Sequence, residues 1–91
     1  MGLRKLDLAK RASGNGWSAV RFDGWVELRV SGTIPSGETL PEGFRPTEQT
    51  YFPVSGQQTG TQTPRVSVTT AGALTPQHYT TGWGITTYRA A

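Results

Sequence analysis

At 91 residues and 9.8 kDa the chain has room for one small domain, and size scaling lets it bury only about two thirds of the surface its unfolded form exposes. Only 17 residues are Ile, Leu, Val or Phe, against 12 Gly, 6 Pro and a rich supply of Thr, Ser and Gln; this balance fits a turn-rich all-β chain and excludes a helical bundle. The absence of cysteine excludes disulfide staples, cysteine zinc sites and thiol nucleophiles, and the formal charge of +3 is carried by residues 1–11, because the five Arg and five acidic residues of positions 12–91 cancel.

In chain order, Leu3 to Ala12 sets Leu3, Leu6 and Leu8 among Arg4, Lys5, Asp7, Lys10 and Arg11, a pattern that fits a short amphipathic helix or an extended arm. Met1 to Asp7 lacks the unbroken apolar stretch of a signal peptide, and no apolar run approaches the length that spans a bilayer. Ser13-Gly14-Asn15-Gly16 reads as a loop, dividing the chain into an N-terminal attachment arm over residues 1–15 and a β domain over residues 16–91. On the arm, Leu3, Leu6 and Leu8 are the candidate apolar contacts for a partner, and Arg4, Lys5, Lys10 and Arg11 the candidate contacts for its acidic groups.

Trp17 to Phe22 reads as a strand ending at an Asp23-Gly24 hairpin turn. Trp25 to Ser31 follows with period-two alternation, which places Val26, Leu28 and Val30 on a buried face and Glu27, Arg29 and Ser31 on a solvated one. Pro35-Ser36-Gly37 breaks the chain, and Thr50 to Val54 is an edge strand because Pro53 cannot donate to a ladder. Ser55 to Thr63 is polar and carries no strand signal. Arg65 to Thr69 alternates again, Ala71-Gly72 turns it back into Ala73-Leu74-Thr75, and Gly84 to Tyr88 is the last strand. The expected fold is all-β, a small antiparallel β-sandwich or barrel preceded by the short arm.

The residues offer little catalytic chemistry. His78 is the only histidine, so a two-histidine metal site cannot form, and its setting between Gln77 and Tyr79 after Pro76 reads as an exposed loop rather than a general base. Gly-x-Ser-x-Gly and phosphate-loop signatures are missing, and Asp23 and Glu27 read as solvated charges. The expectation is a non-enzymatic protein without catalytic residues, cofactor or metal. A neutral body argues against a nucleic-acid-binding barrel, which would have to rely on the basic arm alone.

Trp17, Trp25, Phe44, Tyr51, Phe52, Tyr79, Trp83 and Tyr88 are many aromatics for so thin a core. The three tryptophans read mainly as core or subunit-interface residues, and Tyr79 and Trp83 as an exposed aromatic surface able to take a protein or a sugar.

The order Gly16-Trp17, Gly24 to Ile34, Leu40-Pro41-Glu42-Gly43-Phe44-Arg45-Pro46, Phe52-Pro53-Val54, Val66 to Leu74 and Ile85 to Tyr88 resembles the β-rich modules of bacteriophage tail-fibre, baseplate and other virion surface proteins. Its most specific piece is the Leu-Pro-x-Gly-(Tyr/Phe)-Arg-Pro turn at 40–46, where Gly43 can supply a positive φ and Pro46 pins the exit. The resemblance implies a homotrimeric β-sandwich or barrel without catalysis, located on the phage particle, with major capsid or tail subunits as partners. A module preceded only by a short arm, with no shaft, reads as a capsid decoration protein docked by that arm. The alternative is a small tail-tip or baseplate protein that contacts host glycan; no membrane partner is expected.

Overall fold

The computed structural model describes residues 10–91, and among these every regular element is a β-strand. The strands are β1 (Lys10–Gly14), β2 (Trp17–Phe22), β3 (Trp25–Gly32), β4 (Thr50–Pro53), β5 (Ser55–Gln58), β6 (Arg65–Val68), β7 (Leu74–Gln77) and β8 (Tyr79–Arg89). They form two antiparallel sheets, one of five strands ordered β1-β2-β3-β8-β5 and one of three ordered β4-β6-β7. A single core cluster draws on both: Trp17, Ala19, Val26, Leu28 and Val30 from the first, and Phe52, Val66, Val68 and Leu74 from the second. Two faces packed on one core make a sandwich-like fold rather than a closed barrel.

The β2–β3 hairpin follows from its turn. Asp23 and Gly24 both take positive φ, 53° and 80°, the mirror-image turn whose twist matches the flanking strands. In the resulting register Leu28 faces Ala19 on one side and Thr86 of β8 on the other, and Val26, Leu28 and Val30 all fall on the core face as their alternation requires.

The boundary expected at residue 15 is corrected by the structure. Lys10–Gly14 pairs with β2 in unbroken register from Lys10↔Arg21 to Gly14↔Trp17, so this part of the expected arm belongs to the sheet. What read as a four-residue loop is a tight turn at Asn15-Gly16, and it is fastened from outside. One oxygen of the Glu38 carboxylate accepts from the Asn15 backbone N–H at 3.0 Å and from the Trp17 indole N–H at 2.6 Å. Glycine and serine content suggested freedom, whereas a carboxylate 23 residues away in sequence supplies order.

The chain changes sheets twice in very little length. Between β4 and β5 it does so at Val54 alone, which is how the polar stretch after Pro53, silent in sequence, becomes the edge strand β5 against β8. Between β7 and β8 it does so at His78, a non-glycine residue with φ 66°. His78 is thus a connecting residue, half-buried rather than exposed, and its backbone carbonyl accepts from the Thr59 N–H at 2.9 Å.

The segment Leu40–Pro46 is the link between the sheets. Phe44 N–H donates to the Pro41 carbonyl at 3.1 Å with Gly43 at φ 93°, a type II turn in which position three demands a positive φ. This delivers Leu40, Phe44 and Pro46 into the core. Leu40 N–H donates to the Gly72 carbonyl at 2.8 Å, Ala91 N–H to the Arg45 carbonyl at 2.8 Å, and the Arg45 Nε–H to the Leu40 carbonyl at 2.9 Å. The Tyr88 hydroxyl, buried, donates to the Phe44 carbonyl at 2.5 Å, and desolvation by the core pushes this phenol well above its ordinary pKa of 10.0.

Two predictions come from this architecture. Leu28→Ala should lower stability by about 2–5 kcal/mol, because a fully buried leucine leaves both a lost transfer energy and a cavity, while Arg29→Ala one residue away should cost less than about 1 kcal/mol; thermal or urea melts compare them. The Tyr88 phenol is raised, so the folded state keeps a proton that the unfolded state sheds. Its contribution is complete below pH 10.0 and is lost as the pH climbs from there toward the folded-state value. Melting temperature against pH should show an alkaline fall that is shallower in Tyr88→Phe.

Candidate functional site

The outward face of the five-stranded sheet is fixed by parity. Once Val26, Leu28 and Val30 are committed to the core, residues at the alternate positions of β2, β3 and β8 have no route inward whatever their hydrophobicity. The register lays them out in rows: Phe22, Trp25 and Arg89; then Val20, Glu27 and Thr87; then Ser18, Arg29 and Ile85; then Ser31 and Trp83. Large apolar side chains thus stand in water, with Trp83 63% exposed, Ile85 52%, and Trp25 and Phe22 47% each. An antiparallel sheet that faces solvent on one side ordinarily alternates to polar residues there.

Polar groups share this face with the aromatics and lie beside them. Arg89 sits over the Trp25 ring at 5.2 Å from the centroid, a cation–π contact worth about 0.5–1 kcal/mol at an exposed site. Arg29 pairs with Glu27 at 3.3 Å, and both are solvated enough that the pair contributes about 0–1 kcal/mol. Between them lies a shallow depression of about 420 Å³ lined by Val20, Phe22, Asp23, Trp25, Glu27 and Thr87. A second, smaller aromatic patch lies on the other sheet. There Tyr51 is exposed beside Pro53, Arg65 sits 4.7 Å from the Tyr51 centroid, and the Gln77 side-chain carbonyl holds the Arg65 Nε–H.

The residues singled out from sequence divide clearly. Trp83 is exposed on the outer face, as expected. Tyr79 is not: it is only 8% exposed, which corrects its assignment to an aromatic surface. It directly follows the sheet switch at His78, and the missing side chain of Gly82 leaves room for its ring, since a Cβ there would meet the Tyr79 Cδ2 at 3.2 Å. Desolvation raises the Tyr79 pKa, and its hydroxyl is a buried polar atom that finds no hydrogen-bond partner among the described residues. Lys10 and Arg11 are exposed, but on β1 rather than on a detached arm. Leu3, Arg4, Lys5, Leu6 and Leu8 lie outside the described residues.

Sequence reasoning missed Phe22, Trp25 and Ile85 as members of the surface. A signal existed: Trp25 has opposite parity to Val26 and Val30, and Phe22 follows Val20 at the same parity. Trp17, in contrast, is core. Among the described residues no three His, Asp or Glu side chains cluster as metal ligands would.

Searches of protein-family models, curated proteins and solved structures find no match to this chain.

Because the outer-face aromatics contribute little to the core, Trp83→Ser should change the stability of the monomer by no more than about 0.5 kcal/mol, whereas Trp17→Ser should cost several kcal/mol; chemical melts at submicromolar concentration compare the two.

Proposed function

We propose that this chain is a non-enzymatic structural protein of a bacteriophage particle, a capsid decoration subunit that assembles as a homotrimer and docks on the shell through its N-terminal region. The observation that carries the reading is the outer sheet face, where Phe22, Trp25, Ile85 and Trp83 are all about half exposed or more. Full burial of such a side chain is worth about 1.5–3 kcal/mol, so covering the half that is still exposed is worth roughly 0.7–1.5 kcal/mol each before association costs, which favours a protein surface over permanent exposure. A cyclic trimer joins two unlike patches, and the Tyr51–Pro53–Arg65 patch on the opposite sheet supplies a second. The order of motifs from Gly16 to Tyr88 and its resemblance to virion surface modules give the assembly its setting.

A second reading rests on the depression between Phe22 and Trp25. Two aromatic platforms with the Asp23 and Glu27 carboxylates and the Thr87 hydroxyl are the complement of a sugar ring, whose C–H faces stack on aromatics while its hydroxyls donate to carboxylates. On that reading the chain is a tail-tip or baseplate protein that contacts host glycan.

Sedimentation velocity at micromolar concentration is expected to give a species of three times the 9.8 kDa chain mass, and the double variant Trp83→Ser/Ile85→Thr is expected to sediment as a monomer. A wild-type monomer throughout that range would count against the trimer. Immunogold labelling of purified virions with antibody to the chain separates the readings: dense labelling of the shell is expected, label confined to the tail supports the second reading, and unlabelled particles overturn both.

A further inference from the structure

The two sheets have four edges, and three are short and less suited to further pairing. The edge strand β4 carries Pro53 and β7 carries Pro76, and the start of β7 is already flanked by residues 38–40, with the Leu74 N–H donating to the Glu38 carbonyl at 3.1 Å and Thr39 bridging Ala73. The edge β5 is four residues long with a register shift between Gly56 and Gln58. The fourth edge, β1, has neither proline nor bulge across five paired residues, which makes it the longest and most regular edge among the described residues.

That edge carries an electrostatic mismatch. Lys10 lies directly opposite Arg21, two cations on the same face of the sheet, and Arg11 points to the other face beside Val20. Like charges directly opposed across a ladder destabilise it. Among the described residues the ion pair present is Glu27–Arg29, so none of Lys10, Arg11 and Arg21 is paired there. A basic edge of this kind disfavours addition of a second copy of β1, which would bring its own Lys10 and Arg11 to the same border, and favours a strand that brings carboxylates.

We infer that β1 is a docking strand for an extended acidic segment of another protein, which adds antiparallel to its outer edge as a sixth strand of the sheet. Consecutive residues of a strand point to opposite faces, so matching both Lys10 and Arg11 requires two consecutive carboxylate residues, one beside the Lys10–Arg21 pair and one beside Arg11. Backbone hydrogen bonds along Lys10–Gly14 supply affinity, and the acidic pair sets the register. This rests on the reading that the chain docks through its N-terminal region, and it adds the chemistry of the receiving segment.

The test uses the full 91-residue chain, isotope-labelled, with the synthetic peptide acetyl-Thr-Val-Thr-Val-Glu-Glu-amide and its Lys-Lys counterpart. The acidic peptide is expected to shift the amide resonances of Lys10–Gly14 and slow their hydrogen exchange, with affinity falling at least several-fold from 50 to 300 mM salt, whereas the Lys-Lys peptide leaves them unmoved. In Lys10→Glu/Arg11→Glu the preference is expected to reverse, which also shows that the variant is folded. Equal response to both peptides, shifts confined to other strands, or no shift at millimolar peptide would overturn the inference. Binding of the wild-type chain to virions stripped of it reads the underlying proposal separately: wild-type rebinding with an unaltered Lys10→Glu/Arg11→Glu variant rejects the β1 site alone, and failure of the wild type to rebind rejects particle docking.

Discussion

The hydrogen bond from the Tyr88 hydroxyl to the Phe44 carbonyl is the buried member of a set of contacts that ties the Leu40–Pro46 segment to the end of β8. A three-stranded sheet cannot cover the inner face of a five-stranded one, and the strands of this chain carry too few large apolar residues to fill the gap. The remainder of the core comes from irregular segments, Ile34, Leu40, Phe44 and Pro46, and a loop enters a core only if its backbone polar groups are answered there. Tyr88 answers one, Gly72 and Leu40 exchange another through the Leu40 N–H, and the last residues of the chain close against Arg45 and Thr47. A buried phenol without its acceptor, or a buried carbonyl without its donor, would cost about 1–3 kcal/mol, a large part of the margin for so small a domain.

From that economy follows the division of labour between the two faces of the large sheet. β2, β3 and β8 are shared between an inner face built from Val, Leu and Ala with Trp17, Tyr79 and Tyr88, and an outer face that displays Phe22, Trp25, Trp83 and Ile85. The chain places some of its large apolar side chains where parity keeps them out of the core. We propose that assembly covers these adjacent rows, with β1, whose cations have no ion-pair partner among the described residues, giving a second, more polar contact. The two surfaces lie on different features of the same sheet, one on its face and one at its edge, so self-association and docking need not compete.

Much of the fold was legible because local rules acted alone. The Asp23-Gly24 turn, the alternation of Trp25 to Ser31, the positive φ at Gly43 and the edge position of Pro53 each follow from a few neighbouring residues, and each stands in the structure as read. The failures occurred where distant residues decide. Ser13 to Gly16 looked free because Glu38 is far away in sequence, β5 looked like loop because its partner β8 and not its own polar residues creates the strand, and Tyr79 looked exposed because the space made by Gly82 cannot be seen from composition. The aromatic face was half legible: Trp83 was found, whereas Phe22, Trp25 and Ile85 required the register between β2, β3 and β8.

The central claim is that the outer sheet face is covered when copies of the chain meet, and the three tryptophans report on it directly. Trp17 is in the core, and Trp25 and Trp83 stand on the outer face. Acrylamide quenching of tryptophan fluorescence, followed from nanomolar to tens of micromolar protein, should begin with two accessible residues and one protected, and accessibility should fall as concentration rises. Quenching that stays the same across the whole range, with Trp25 and Trp83 open throughout, would contradict it.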